Sequence, residues 1–333
     1  MFKKILNEIK KIVKENYIFL IIFFLILMFM NVKLPYYVET TGGVINLEDR
    51  VVGDYKTKGT LNMAYVSSLD GYIPNIIYAW FNKEADIISK ETETGTSTEK
   101  EAEFRNNIAL KDSIDSATII AYKAANKDVE ILNKKVTVAY IFEEADTTLK
   151  IGDIITKIDN KNVDSKEDIK NIVTNLDENS YINIEVINKN KTYTRQAKII
   201  NYEGKNILGI MCYVDYDLKL NPDINIKFEN NESGPSGGLM LALSIYSKIS
   251  KKDITNGLNI AGTGTIDEYG NVGEISGVKY KLKGAVDSNM DVFLVAKENY
   301  KEAIKEKKKN NYDIEIYSVS NFEEALDILK KVR

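Results

Sequence analysis

The chain has 333 residues, 44% hydrophobic and 28% charged, enough for about two globular domains and additional structure. A formal charge of −4 and a pI near 5.4 show no bulk basicity, so nucleic acid is not an expected partner. There is no histidine and a single cysteine, Cys212, which removes Ser-His-Asp and Cys-His catalysis, nearly all zinc sites and any internal disulfide. No metal or cofactor is expected.

Residues 1–16 carry Lys3, Lys4, Lys10, Lys11 and Lys14, and the run over 17–35 that follows is almost wholly apolar. About 20 such residues, rising about 1.5 Å each, span a hydrocarbon core of about 30 Å. Tyr17 at one end and Tyr36 and Tyr37 at the other suit the two interfaces, and Lys33 can snorkel. The lysine excess predicts a cytoplasmic N-terminus and a single-pass protein of the cell membrane, with the remaining chain outside the cytoplasm. "NVKLPYYVE" (31–39) holds no small-x-small cleavage site, which favours an uncleaved anchor over a signal peptide.

Residues 36–130 read as a mixed α/β membrane-proximal region. "GTLNMAYVSS" (59–68) predicts a strand, and "YIPNIIYAWFNKEADIISK" (72–90) a helix with Trp80 and Phe81 as packing residues. "ETETGTST" (91–98) is a polar break. The spacing of Phe104, Ile108, Ile114, Ala117 and Ala121 predicts a helix over 99–127. No catalytic constellation is evident in this region.

Residues 131–201 are strand-rich, with one helix near 165–175. "LKIGDIITKIDNKNV" (149–163) predicts a strand pair, and "YINIEVINKNKTYTRQAKI" (181–199) a hairpin turning at Asn188–Lys191. The run from "KIGDIITKIDNKNV" through "EDIKNIV" resembles a PDZ domain, which implies binding of an extended peptide at a sheet edge. "YIFEEADTTLKIGD" departs from that pattern, having no glycine-rich loop for a carboxylate, and its Glu143, Glu144 and Asp146 repel one.

Residues 202–333 predict an α+β domain. "NILGIMCYVDYDLKL" (206–220) is strand-like, with Cys212 a small core residue. "NNESGPSGGLMLALSIYSKIS" (230–250) sets Ser236 ahead of an apolar helical run, where a serine commonly serves as an N-cap. "LNIAGTGTI" then predicts a strand, "DEYGNVG" a turn, "GVKYKLKGAVDSNM" a helix and "DVFLVAKE" a buried strand. "KEAIKEKKKNN" (301–311) is a solvated helix face, and Ser320 with Glu323 predicts a capping box for the last helix.

"GPSGG" (234–238) and "GTGTIDEYGNVGEISGVKYKLKGA" (262–285) together resemble the nucleophile and lysine motifs of the Lon-type proteolytic domain, peptidase family S16. With an anchor and a PDZ-like segment ahead, nearly the whole chain is similar to the membrane-anchored, PDZ-containing Lon-like proteases of Gram-positive bacteria. The resemblance implies that Ser236 is the nucleophile, Lys281 the general base and Thr263 a residue hydrogen-bonding near that lysine. It also implies that Gly234, Pro235 and Gly237 shape the nucleophile loop. Ser233 stands where many members have aspartate, and Gly237 where alanine is usual. Lys279 and Lys283 read as solvated.

Elementary chemistry is consistent with this pairing. A serine hydroxyl needs a nearby base, and without histidine a lysine must serve, in its neutral form. Burial can lower a lysine pKa by up to about 3–5 units from about 10.4. The chain has no G-x-x-x-x-G-K-[ST] motif, and "AGTGTIDEYG" is not a dinucleotide fingerprint. The expected activity is ATP-independent serine endopeptidase action on peptides and on secreted or membrane-associated proteins. Homo-oligomers are an expectation of the resemblance. The competing expectation is a membrane-anchored PDZ scaffold with an inactive protease domain.

Overall fold

A computed structural model describes residues 2–95 and 97–332. Met1, Thr96 and Arg333, and the side chains of Lys3, Lys4, Leu6, Asn7, Ile9 and Glu93, lie outside the described residues. With them fall the outermost positions of the expected N- and C-terminal segments and one position of the polar break. The chain divides into two units, Met1–Thr41 with Ser67–Gly95, and Gly42–Val66 with Thr96–Arg333. Residues 36–130, read from the sequence as one region, are thereby shared between them.

In the first unit, α1 (Phe2–Met30) is helical on either side of a kink at Asn16, whose backbone is non-helical. Its Lys10–Met30 part is long and apolar enough to cross a membrane, and none of it is buried. The helix stops short of the expected 17–35, since Lys33 already opens β1 (Lys33–Asn46). Pro35 has no N–H to give a helix and pushes Leu34 toward extended backbone. After β2 (Thr60–Tyr72) come α2 (Ile73–Phe81), β3 (Ala85–Ser89) and the short α3 (Lys90–Thr94).

The single helix expected over 72–90 is therefore helix, turn and strand. Asn82 leaves the helix with extended backbone, and its Oδ1 accepts from Glu84 N at 2.9 Å, an Asx turn. Ala85–Ser89 then pairs antiparallel with Tyr36–Thr40. Val38, Ile76, Ala79 and Ala85 form this unit's small core. Trp80 and Phe81, expected inside, are 72% and 85% exposed.

The second unit takes in α4 (Glu99–Ala124), which starts from a capping box of Thr98 and Glu101. There follow β4 (Asp128–Ile141), β5 (Ile154–Ile158), α5 (Lys166–Thr174), β6 (Tyr181–Asn188), β7 (Lys191–Lys198) and β8 (Ile210–Asn221). These strands form an antiparallel sheet in the order β8-β4-β5-β6-β7, with the hairpin turn at Asn188–Lys191. Val136, Val138, Ile155, Ile184, Val186 and Val214 fill its core at the two-residue period of half-buried strands. The sequence reading gave 206–220 to the next domain. Instead, β8 pairs with β4 along its length and sends Val214 and Tyr216 into this core, so the strand-rich body extends to Asn221.

The rest of this unit is α6 (Gly238–Ser250), β9 (Asn259–Thr263), α7 (Val278–Asp287), β10 (Val292–Ala296), α8 (Tyr300–Asn310), β11 (Glu315–Val319) and α9 (Phe322–Leu329). The sheet order is β11-β10-β9-β2-β1, and β2, β9, β10 and β11 run parallel. Alternation divides the strands between two cores. Leu61, Met63, Ile260 and Leu294 meet α6 and α9, while Ala64, Ala261, Phe293 and Val295 meet α7 and α8. Helices therefore cover both faces, as parallel strands require. The cap of α9 is one residue later than expected. Asn321 Oδ1 accepts from Glu324 N at 2.9 Å, and Glu324 Oε2 accepts from Ser320 N at 2.7 Å.

Candidate active site

Ser236 is half-buried in the loop before α6, whose N-cap is Gly237 at φ −93° and ψ −1°. The serine is thus not the helix cap. Its backbone is held instead: its carbonyl accepts from Gly264 N at 2.8 Å and from Thr263 Oγ1 at 3.0 Å. Leu239 N returns a bond to Gly264 O at 3.1 Å, stitching the start of α6 to the carboxyl end of β9.

The glycines of the loop have separate causes. Gly234 sits at φ +85°, the left-handed region. A Cβ on Gly237 would lie 2.6 Å from Met63 Sδ, so the methionine takes the space that an alanine would fill. At Gly238 a Cβ would meet Ser113 Oγ at 2.6 Å and Ile266 Cγ2 at 2.9 Å.

Thr263 is fully buried at the end of β9. Its hydroxyl proton is given to the Ser236 carbonyl, so toward an amine this oxygen serves as an acceptor.

Lys281 lies on the first turns of α7 and is 4% exposed, unusual for a lysine. Its two neighbours differ. Lys279 is half-buried with Nζ 4.6 Å from the Tyr280 ring centroid, and Lys283 pairs with Asp287 one turn on. Glycines bring α7 close to the sheet. A Cβ on Gly277, the N-cap, would lie 2.7 Å from Val66 Cγ2, and one on Gly284 would lie 3.0 Å from the Gly43 backbone. Lys281 is one turn before Gly284 and shares its face. Val66 lies in the middle of β2, past the Met63–Gly262 pair, so the cap of α7 sits just beyond the carboxyl end of the β2–β9 pairing. The Ser236 loop and the start of α7 therefore meet one edge of the parallel sheet, where open α/β sheets place their sites.

α4 carries residues that sequence reasoning missed. Ser113 Oγ donates to Pro235 O at 3.1 Å, and Gly234 N donates to Asn106 O at 3.2 Å, so the helix grips the serine loop. The same helix caps the outer edge of β8: Val214 N donates to Asp112 Oδ1 at 2.8 Å and Tyr216 N to Asp115 Oδ2 at 3.0 Å. Lys111 pairs with Asp215 and, at 3.5 Å, with Asp115, while Lys166 lies 3.4 Å from Asp112. Burial pushes Asp112 above the usual carboxylate range and Asp115 up to about 6, outweighing these donors. The one signal in the sequence is the buried polar run Asp112, Ser113 and Ser116 within an otherwise apolar helix face. Cys212, half-buried on β8, has its thiol pushed up to about 12 by burial and is protonated at neutral pH.

Residues 220–331, which include all six candidate residues, match the Lon protease (S16) C-terminal proteolytic domain. "Lon protease 2" of Bacillus subtilis (strain 168) is 31% identical over 166 residues, covering 46% of this chain and 28% of that protein. "Lon protease 2" of Borreliella burgdorferi is 31% identical over 121 residues, covering 35% and 15%. The chain spans less than a third of the length of these curated relatives. Among solved structures, the PDZ domain of an SdrC-like protein from Listeria monocytogenes aligns to 25% of this chain and 92% of its own, with 19% identity and a TM-score of 0.23.

Proposed function

We propose that the chain is an ATP-independent serine endopeptidase in which Ser236 is the nucleophile and Lys281 the general base. It is held in the cell membrane by α1, with its catalytic unit outside the cytoplasm. The observation that carries this reading is the burial of Lys281, in a chain without histidine, within a segment similar to a protease domain. Burial disfavours the ammonium and so favours the neutral amine that a base requires.

In the attack, Ser236 Oγ bonds to the scissile carbonyl carbon while its proton passes to Lys281 Nζ. The oxyanion is assigned to the backbone N–H groups of Ser236 and Gly237 just ahead of α6, those of Gly238 and Leu239 being given to Pro235 O and Gly264 O, and the helix dipole there favours negative charge. Collapse breaks the C–N bond, and the departing amine takes the proton from Lys281. Water then repeats the sequence on the acyl-serine, with Lys281 again as base. Thr263 holds the Ser236 carbonyl and offers its lone pairs to the amine. Glycines 237 and 238 let Met63, Ser113 and Ile266 pack directly on the backbone of the serine loop and so fix its position.

The chain carries no Walker-type phosphate loop, which supports turnover without ATP and restricts substrates to extended or locally unfolded segments. The strand-rich body is assigned to substrate selection among secreted and membrane-associated proteins. Homo-oligomerisation is part of the same reading. Covalent labelling tests it: a serine-directed fluorophosphonate should modify wild type at Ser236 and leave Ser236→Ala unmodified. A folded wild type that is neither labelled nor active on any peptide is a PDZ scaffold instead.

A further inference from the structure

α2, "IPNIIYAWF", contains no charged residue and is apolar on two faces. Ile76 and Ala79 point into the core of their unit with Val38 and Ala85. The rest of its surface carries Ile77, Tyr78, Trp80 and Phe81, exposed by 42%, 45%, 72% and 85%. Isolated exposed apolar residues are ordinary, but four within five positions of one short helix form a contiguous interaction surface.

The neighbouring chain identifies what covers it. Ile73 N, the first residue of α2, donates to Val32 O at 3.3 Å, two residues past the end of α1. Lys33 Nζ is 2.9 Å from Asp70, two residues before Tyr72, so the entry to α2 is tied twice to the exit of α1. All of these residues belong to one unit. If α1 spans a bilayer, Val32 lies where the hydrocarbon ends, and α2 begins at headgroup level. Tyr36 and Tyr72, both 38% exposed, stand at the same end. Tryptophan and tyrosine concentrate at that depth, where an apolar ring and a polar tip are both accommodated. We propose that the Ile77–Phe81 face of α2 is embedded in the interfacial layer of the bilayer that α1 crosses, so that the partner of this surface is lipid. The inference rests on reading α1 as a membrane span.

Trp80 is the chain's only tryptophan, so its emission reports on this face alone. The full-length chain is reconstituted into phosphatidylcholine–phosphatidylglycerol vesicles containing lipid brominated either near the headgroup or near the chain end. Trp80 should be quenched about twofold more by the shallow bromine than by the deep one, and should be shielded from aqueous acrylamide. A second chain, Trp80→Phe with Phe24→Trp, moves the reporter to the middle of α1 and should show the opposite depth preference. Deep quenching of Phe24→Trp with no lipid quenching of Trp80 overturns the interfacial helix and leaves the span intact. Shielding of Trp80 from acrylamide without lipid quenching assigns the face to protein and also overturns it. Absence of lipid quenching at both positions removes the span and the inference with it.

Discussion

Asp115 gives the most quantitative test of how α4 grips β8. Its carboxyl is pushed up to about 6 from an ordinary value near 3.8, chiefly by burial, against the Tyr216 N–H and Lys111. A raised folded pKa means that the folded state binds this proton more tightly than the unfolded state. The contribution to stability is therefore full below about pH 4 and is lost as pH rises through about 6. A shift of about two units is worth about 3 kcal/mol in total. Asp115→Asn keeps an oxygen to accept from Tyr216 N and removes the titration. Stability of the variant relative to wild type should therefore rise by about 2 kcal/mol between pH 4.5 and pH 7.5, the part of the window that interval covers. The assay is isothermal urea unfolding followed by circular dichroism, because the only tryptophan belongs to the other unit. A difference independent of pH, or one falling toward pH 7.5, would refute the reasoning. It would mean that Lys111 and the amide outweigh the burial.

Three further outcomes follow from the same geometry. Ser113→Ala removes the bond to Pro235 O and should lower kcat about tenfold with KM little changed, while Ser113→Thr, which keeps the hydroxyl, should recover part of the loss in steady-state peptide assays. Gly237→Ala should cost about 1 kcal/mol in urea unfolding by pressing on Met63 Sδ, and pairing it with Met63→Ala should remove that clash without adding to the strain. Cys212, with its thiol held protonated, should react with iodoacetamide at pH 8 far more slowly in the folded chain than in urea, and equal rates would contradict its burial.

Features set by neighbours in sequence were legible in advance. The Gly-Pro-Ser-Gly-Gly loop and the Asn188–Lys191 turn depend on residues a few positions apart. Features set by distant pairing were not. Asn82 ends α2 by a local Asx turn, but β3 exists because Ala85–Ser89 finds Tyr36–Thr40 across the unit. β8 belongs with β4 because Asn221 pairs with Asp128, a partner no local pattern names. A deletion of 134–200 would consequently leave β8 without its sheet. Trp80 and Phe81 show the limit of periodicity, since apolar residues at helical spacing read as core whether protein or lipid covers them. Among Lys279, Lys281 and Lys283, composition alone made no choice. The resemblance to the protease family selected Lys281, and burial distinguishes the same residue.

The central claim is the serine–lysine dyad, and one set of kinetics on the full-length chain in lipid nanodiscs without ATP tests it most directly. Peptide cleavage should vanish in Ser236→Ala and in Lys281→Met. Lys281→Arg should not restore it, because a guanidinium stays protonated. Lys279→Met should remain near wild type, and kcat/KM of wild type should rise with pH through one ionisation below that of free lysine. The double variant should be scarcely slower than either single one, as expected of groups acting as one unit. Substantial activity in a folded Lys281→Met chain, or its loss in Lys279→Met instead, would contradict the account.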